Sequence, residues 1–116
     1  MFRIEFYTLP NGQRPVEVFL DSLPVKMRIK ALDSLDLLEE YGNQLRPPYT
    51  KALKDGIFEL RIQFSSDISR IFYFFYVDNK IIVTNGFIKK TQKTPQNELK
   101  KALKYKKDYE RKHSHE

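Results

Sequence analysis

Basic side chains stand on predicted strands in the second half of the chain, at positions suited to bind a phosphate. Arg61 and Arg70 lie in two successive strand-like segments, and Lys89, Lys90 and Lys93 follow a third. A guanidinium group binds a phosphate through two parallel hydrogen bonds, and a lysine ammonium supplies a point charge. Such groups also stabilise the charge that develops on a phosphodiester during cleavage. These residues predict a nucleic-acid site; the alternative for the lysines is an ordinary polar connection between a strand and a helix.

The segment Ile57–Phe64 sets the surroundings of Arg61. Glu59 and Arg61 alternate with apolar residues, so they share one face of a half-buried strand. Glu59 is either a candidate proton acceptor or the partner of Arg61 in a surface ion pair. Lys51 and Lys54 precede this strand, and they either widen a basic rim for RNA or are merely solvated.

Residue types that are absent or scarce exclude several kinds of chemistry. Cysteine is absent, and the only histidines are His113 and His115. The sequence therefore offers no thiol nucleophile, no thiolate metal site and no imidazole inside the fold. We expect no cofactor and no metal, since the histidine pair is more typical of a frayed tail than of a metal site. No charged-then-apolar leader and no long apolar run is present, which favours a cytoplasmic protein away from membranes.

The net charge of +6 is concentrated in one part of the chain. Residues 88–116 contain 10 of the 21 Lys and Arg residues but only 4 of the 15 Asp and Glu residues. Such an asymmetry favours an anionic partner, most simply a nucleic acid. The alternative is a solvated lysine face that keeps a small protein soluble.

Hydrophobic periodicity predicts the elements that must position these side chains. We expect one domain over residues 1–116 with the element order β-α-α-β-β-β-α. Thr94 is expected to cap the last helix, with Pro95 at its first position, and Gly42 to end the second helix. The predicted elements are a strand over Phe2–Tyr7, helices over Pro15–Ser22 and about Val25–Glu40, strands over Ile57–Phe64, Ser69–Val77 and Lys80–Phe87, and a helix that ends near Arg111.

The predicted fold is α+β, with an antiparallel sheet packed on helices and one sheet face left open. A four-residue turn between the second and third predicted strands would pair Gln63 with Arg70 and Arg61 with Phe72. Phe74 would then lie on the open face beside these residues. Exposed phenylalanine rings beside arginines suit a single strand of RNA, because the rings stack on bases.

Three segments together resemble a known toxin family. Residues 51–61 (KALKDGIFELR) resemble the pattern K-x-L-x-D-G-[LI]-[FWY]-E-L-R, and residues 70–74 (RIFYF) resemble R-[IVL]-[FL]-Y-F-F. Residues 86–95 (GFIKKTQKTP) resemble G-F-x-K-K-T-[QR]-K-T-P. Spaced and ordered in this way, the motifs are similar to those of the phage-derived HigB-like branch of the RelE/ParE superfamily of type II toxins. The resemblance implies a RelE-like fold.

The resemblance also implies a function and site residues. It implies a toxin that is neutralised by a small helix-turn-helix antitoxin, HigA-like, and that reaches operator DNA only through that antitoxin. The usual activity in the superfamily is cleavage of mRNA held in the ribosomal A site. By position, Arg70 matches the arginine on the middle strand of RelE-type toxins, and Arg61 matches the basic residue on the preceding strand. Lys89 and Lys90 match the basic pair after the last strand, and Glu59 stands where some relatives have a second basic residue.

The chemistry of RNA cleavage narrows the roles. RNA carries its own nucleophile, the 2′-hydroxyl, whose proton must be removed. With no histidine in the fold, the candidate base is Glu59, or Lys89 or Lys90 with a lowered pKa. Such a site is expected to be slow on free RNA, whereas a ribosome that holds the message in line could supply orientation worth roughly 7–11 kcal/mol. The sequence therefore favours a ribosome-dependent endoribonuclease.

Two other functions stay open. A ParE-like protein would inhibit DNA gyrase by binding alone, and a hydrophobic open face would favour it. A simple nucleic-acid-binding module is supported only by the basic C-terminal segment. The two arginines together with the lysine pair favour RNA cleavage over both.

Overall fold

A five-stranded mixed sheet occupies the centre of the computed structural model, which describes residues 1–114. Within these residues the strands are β1 Arg3–Phe6, β2 Thr50–Ala52, β3 Phe58–Phe64, β4 Asp67–Tyr76 and β5 Lys80–Ile88. The helices are α1 Pro15–Ser22, α2 Val25–Tyr41 and α3 Gln96–Lys112, and a 3₁₀ turn, Gly42–Gln44, follows α2. None of these described helices combines the length and the apolar composition that crossing a membrane requires. The α+β class is as predicted.

The strand order is β1-β5-β4-β3-β2. The strands β3, β4 and β5 form the predicted antiparallel meander, and β4, which is apolar on both faces, lies at its centre. The strand β1 pairs parallel to β5, so the sheet is mixed and the prediction of a wholly antiparallel sheet is wrong. The short strand β2, which places Lys51 opposite Glu59, is absent from the prediction because three residues are too few to show alternation.

The hairpin between β3 and β4 is tighter than predicted. Only two serines separate the strands, and Arg61 lies directly opposite Arg70. The predicted pairs, Gln63 with Arg70 and Arg61 with Phe72, are wrong by two residues because β4 begins at Asp67, two residues earlier than predicted. A shift of two residues leaves every side chain on its predicted face, since side chains alternate with period two.

Helices cover both faces of the sheet, so the prediction of one open face is wrong. The helices α1 and α2 pack on one face, against a core that includes Ile71 and Tyr73. The helix α3 packs on the other face, where Phe72 and Phe74 are fully buried. These two rings supply the apolar surface that amphipathic α3 needs, and they cannot stack on RNA bases as predicted.

The cover on the α3 face is incomplete. This helix contacts β5 and β4. Beyond it, on β3, Arg61 is half-buried and Gln63 is exposed. The accessible part of this face therefore lies along β3, the strand that carries Glu59 and Arg61.

The start of α3 and the residue that follows it differ from the prediction, whereas the helix ends at Lys112, close to the predicted Arg111. Pro95 occupies the N-cap position, and the Thr94 hydroxyl donates to Glu59 Oε1 at 3.4 Å instead of capping the helix. At the other end, the ring of His113 stacks on a tyrosine of α3, with 3.8 Å between the ring centroids. His113 is therefore packed rather than frayed, whereas His115, the other histidine of the predicted tail, lies outside the described residues.

An ionised aspartate anchors α3 to the segment that follows β1. The Tyr7 hydroxyl donates to Asp108 Oδ2 at 2.6 Å, and the Tyr7 ring stacks on Tyr105 of the same helix. Arg111 and Lys112 form ion pairs with the same carboxylate. The hydrogen bonds from Tyr7 and from these cations lower the pKa of Asp108 to about 2.

We expect Asp108→Asn to lower the melting temperature at about pH 7 and to have little effect near pH 2. A carboxyl group whose pKa is depressed by folding stabilises the fold above its unfolded pKa, about 3.9. That contribution is lost as the pH falls through the folded pKa of about 2. Thermal unfolding across this range measures it, with Asp36→Asn, at an exposed position of α2, as the control. A loss of stability in Asp108→Asn that is independent of pH would contradict this assignment.

Candidate functional site

Three charged side chains on β3 and β4 form a buried ionic group, which we call the arginine–glutamate cluster (Glu59, Arg61 and Arg70). Glu59 Oε2 lies 3.2 Å from Arg61 Nε and 3.4 Å from Arg70 Nε. Glu59 is 1% exposed and Arg70 is 7% exposed, whereas the side chain of Arg61 keeps 34% of its surface. The predicted pair of Glu59 with Arg61 is confirmed, but it belongs to a three-membered, largely buried cluster rather than to the surface.

The strands dictate this arrangement. Arg61 lies opposite Arg70 in the ladder, and Glu59 precedes Arg61 by two residues, so all three side chains share one face. Two guanidinium groups placed side by side repel each other, and the carboxylate that contacts both offsets this repulsion. Thr94 adds a hydrogen bond to the second carboxylate oxygen, Oε1. The cluster therefore keeps one uncompensated positive charge where this face is accessible.

Arg70 is the most buried cation of the cluster. Burial lowers the pKa of Arg70, and the negative charge of Glu59 partly offsets this effect. The guanidinium group nevertheless stays protonated, because arginine does not lose its proton in proteins. Its Nη1 donates to Ser69 O at 3.0 Å, and its Nε forms the ion pair with Glu59 Oε2. A partly dehydrated guanidinium group attracts an anion more strongly than a solvated one does.

Lys89 approaches the cluster from the end of β5. Its backbone N–H donates to Ile68 O at 2.9 Å, which fixes this residue beside β4. Burial, followed by the positive charge of Arg70, lowers the pKa of the Lys89 side chain. Lys90 is exposed. A trough of about 420 Å³ is lined by Arg70 and both lysines, so the pair lies beside the cluster, as the sequence predicts.

Arg70 also lines a second space, a cleft of about 460 Å³ that lies between α2 and the uncovered edge of β3. Its lining comprises Arg61, Gln63 and Arg70 from the sheet, Pro48 and Tyr49 from the connection before β2, and Lys30, Asp33, Ser34 and Leu37 from α2. Sequence reasoning missed the residues outside the sheet. Tyr49 lies in an aperiodic connection, and the α2 residues belong to a helix whose neighbours are known only from the fold.

The remaining lysines that were predicted to bind RNA differ in their surroundings. Lys51 lies opposite Glu59, and its positive charge contributes to the lowered pKa of Lys89. Lys54 and Lys93 are exposed, and they line neither the trough nor the cleft. Lys93 nevertheless follows a residue that lines the trough and precedes Thr94, whose hydroxyl donates to Glu59.

This arrangement is suited to hold a phosphate group. Arg61 lines the cleft together with Arg70, and Lys89 lines the trough together with Arg70. Cations from β3 and from the end of β5 are therefore grouped around Arg70, which is largely withdrawn from water. Glu59 supplies a carboxylate in direct contact with both guanidinium groups. In the described part of the chain, no three His, Cys, Asp or Glu side chains come together in a way that could hold a metal ion.

A protein-family model matches most of the chain. Residues 18–107 match the model of the family described as phage derived protein Gp49-like (DUF891). The matched segment contains α2, the strands β2 to β5 and most of α3, and hence the whole arginine–glutamate cluster. No curated protein matches the chain.

We expect Glu59→Ala to reduce the free energy of unfolding by about 3–5 kcal/mol, because it leaves Arg70 buried beside Arg61 without a counter-charge. Urea unfolding at neutral pH measures this loss. The matched control is Glu110→Ala, which removes a more exposed ion pair with Lys106 and should cost less than about 1 kcal/mol. Equal losses from the two substitutions would show that Glu59 does not hold a buried charge network together.

Proposed function

We propose that this chain, which belongs to the Gp49-like family of phage-derived proteins, is the toxin of a type II toxin–antitoxin pair. In this proposal it cleaves mRNA on the ribosome. The three motifs that resemble the HigB-like branch of the RelE/ParE superfamily all lie inside the matched segment, which supports this assignment. The observation that carries the proposal is the grouping of Arg61 and Lys89 around Arg70, which shares the cleft with Arg61 and the trough with Lys89. A phosphodiester is the ligand that such a group of cations fits best.

In the proposed reaction, the RNA supplies the nucleophile. The 2′-oxygen forms a bond to the adjacent phosphorus, and the bond from that phosphorus to the 5′-oxygen of the next nucleotide breaks. The products are a 2′,3′-cyclic phosphate and a 5′-hydroxyl. Arg61 and Arg70 would stabilise the additional negative charge on the phosphorane, where fixed donors have the largest effect on rate.

A proton must leave the 2′-hydroxyl, and another must reach the departing 5′-oxygen. Lys89 is the better candidate to transfer these protons, because its lowered pKa increases the fraction of neutral amine that can accept one. Glu59, the other candidate from the sequence, contacts both guanidinium groups and accepts a hydrogen bond from Thr94. In this arrangement its main role would be to orient the arginines, while exposed Lys90 would add charge at the rim.

The ribosome would supply the orientation of the substrate for a site that lacks a strong base. His113, the one histidine in the described part of the chain, stacks against Tyr109 near the end of α3 rather than on the cluster. A site without a strong base gains most from a substrate already held in line, since orientation can contribute roughly 7–11 kcal/mol. We therefore expect cleavage of mRNA on programmed ribosomes to be much faster than cleavage of the same message free in solution.

The proposed partner is a helix-turn-helix antitoxin with an acidic segment. The positive charge of the cluster and of the neighbouring lysines would attract such a segment, and this attraction should weaken as salt rises. Exposed phenylalanines cannot contribute to that attraction, because Phe72 and Phe74 are buried beneath α3. A gyrase-binding function would be favoured by an apolar surface at the site. The side chains grouped around Arg70 include instead the cations Arg61, Lys89 and Lys90.

We expect Arg70→Ala to reduce the rate of mRNA cleavage a hundred- to a thousandfold, since a lost donor to a developing oxyanion typically costs about 3–4 kcal/mol. Lys100→Ala, at an exposed position of α3, should cost far less because it removes only a screened contact with the RNA backbone. Cleavage on programmed ribosomes measures both variants, and thermal unfolding controls for folding. Equal losses of activity would assign the function to α3 instead of the sheet.

Expression of the chain without an antitoxin should arrest growth, and translation should fall before DNA replication does. Mapping of mRNA 5′ ends after induction should show new ends inside open reading frames, and these ends should be absent with Arg70→Ala. If replication and DNA supercoiling collapse first while mRNA stays intact, the protein acts on gyrase and the proposal is wrong.

A further inference from the structure

We propose that the cleft beside the arginine–glutamate cluster is a base-binding subsite, in which Tyr49 stacks on one nucleobase and Asp33 selects it by its hydrogen-bond donors. This inference rests on the proposed cleavage of RNA. It adds to that proposal the residues that determine which sequence is cleaved. Neither residue belongs to the motifs that carry the family resemblance.

The position of Arg70 connects the cleft to the reaction. The guanidinium group lines both the cationic trough and the cleft, so a phosphate bound to Arg70 has the trough and the cleft within reach. The trough is lined by Lys89 and Lys90, which suits the backbone of the RNA strand. The cleft, at about 460 Å³, falls within the range of roughly 300–1,000 Å³ that is typical of small-ligand pockets. A base next to the bound phosphate can therefore enter it.

Tyr49 has the exposure and the support that a stacking platform requires. Its side chain is 53% exposed, whereas the apolar ring of a tyrosine is usually buried to a larger extent. Its backbone is fixed on both sides, because its carbonyl accepts a hydrogen bond from Arg61 N–H at 2.9 Å and its own N–H donates to Arg46 O at 3.0 Å. The backbone of Tyr49 is thus tied to the strand that carries Arg61, so the point from which the ring projects is fixed relative to the phosphate site. Every base has a π-face, so stacking on Tyr49 would bind a base without choosing between bases.

Asp33 is the residue that we propose distinguishes one base from another. A carboxylate in a wall of the cleft repels phosphate groups but accepts hydrogen bonds from a base. The neighbouring hydroxyl, Ser34 Oγ, already donates to Lys30 O at 3.0 Å. The side chains of Lys30 and Gln63 also line the cleft, but every base carries an acceptor to which they can donate, so they do not choose between bases. Adenine, cytosine and guanine each carry an amino group on the Watson–Crick edge, whereas the one donor of uracil there, N3–H, lies between two carbonyl oxygens that repel a carboxylate. The cleft should therefore favour a base that bears an amino group over uracil.

The first test concerns stacking. Cleavage is measured on ribosomes programmed with one message, for wild type, Tyr49→Ala and Tyr49→Phe. Tyr49→Ala should raise KM roughly 5- to 100-fold with a smaller change in kcat, whereas Tyr49→Phe keeps the ring and should behave like wild type. The matched control is Tyr41→Ala, which removes an equally exposed tyrosine at the end of α2 that does not line the cleft. A KM for Tyr49→Ala that equals that of the control would overturn the stacking role.

The second test concerns base choice. Messages that differ only in the base on one side of the cleaved bond, and then only in the base on the other side, are compared for wild type and Asp33→Asn. Wild type should cleave messages with adenine, cytosine or guanine at one of these positions at least tenfold better than the message with uracil. Asp33→Asn should lose that preference because an amide can also donate to uracil, while Asp36→Asn, an exposed neighbour outside the cleft, should keep it.

The outcomes separate the two proposals. If wild type cleaves no message, the proposed function is wrong and the base-binding subsite is wrong with it. If wild type cleaves mRNA but Tyr49→Ala and Asp33→Asn leave KM and the base preference unchanged, only the subsite is wrong. Thermal unfolding of each variant excludes misfolding as the cause of a lost activity, and both positions are exposed, so little change in melting temperature is expected.

Discussion

The contact of one buried carboxylate with two guanidinium groups is the interaction on which the rest of the site depends. Glu59 joins Arg61 and Arg70 across two strands, and the register of the β3–β4 hairpin places them face to face. Without the carboxylate, two positive charges would lie side by side in a poorly solvated place. With it, the cations are held in a fixed arrangement that keeps a net positive charge, which is the condition for binding a phosphate without large rearrangement. The same carboxylate accepts the hydrogen bond from Thr94, so the segment before α3 is tied to the cluster.

Much of the fold could be predicted because the residue pattern of each strand indicates which of its faces are buried. The alternation in β3 indicates one buried side, and the apolar run of β4 indicates a central strand, which the strand order confirms. That same run argues against an open sheet face, since Phe72 and Phe74 need cover. What sequence reasoning could not supply is the partner of those rings. The amphipathic pattern of α3 shows that one side of the helix is buried, but not which face of the sheet receives it.

The candidate site was also predictable only in part. Period-two alternation places Arg61 and Arg70 on one face for any register error of an even number of residues. Their shared face was therefore predicted correctly, although their direct pairing was not. The degree of burial was not predictable, because it depends on the helices around the cluster. No sequence pattern marked Tyr49 or Asp33 as part of the site. Tyr49 lies in a connection without periodicity, and Asp33 lies on the polar side of α2. Their proximity to Arg61 arises only from the tertiary fold.

The central claim is that these cations serve a cleavage in which the RNA attacks itself. The most direct measurement uses ribosomes programmed with two messages that are identical except for the sugar at the mapped cleavage position, ribose in one and 2′-deoxyribose in the other. We expect the ribose message to be cut to a 2′,3′-cyclic phosphate and a 5′-hydroxyl, and the 2′-deoxy message to stay intact at that bond. Cleavage of the 2′-deoxy message at the same bond would rule out attack by the 2′-hydroxyl, because the nucleophile would then have to come from the protein or from water.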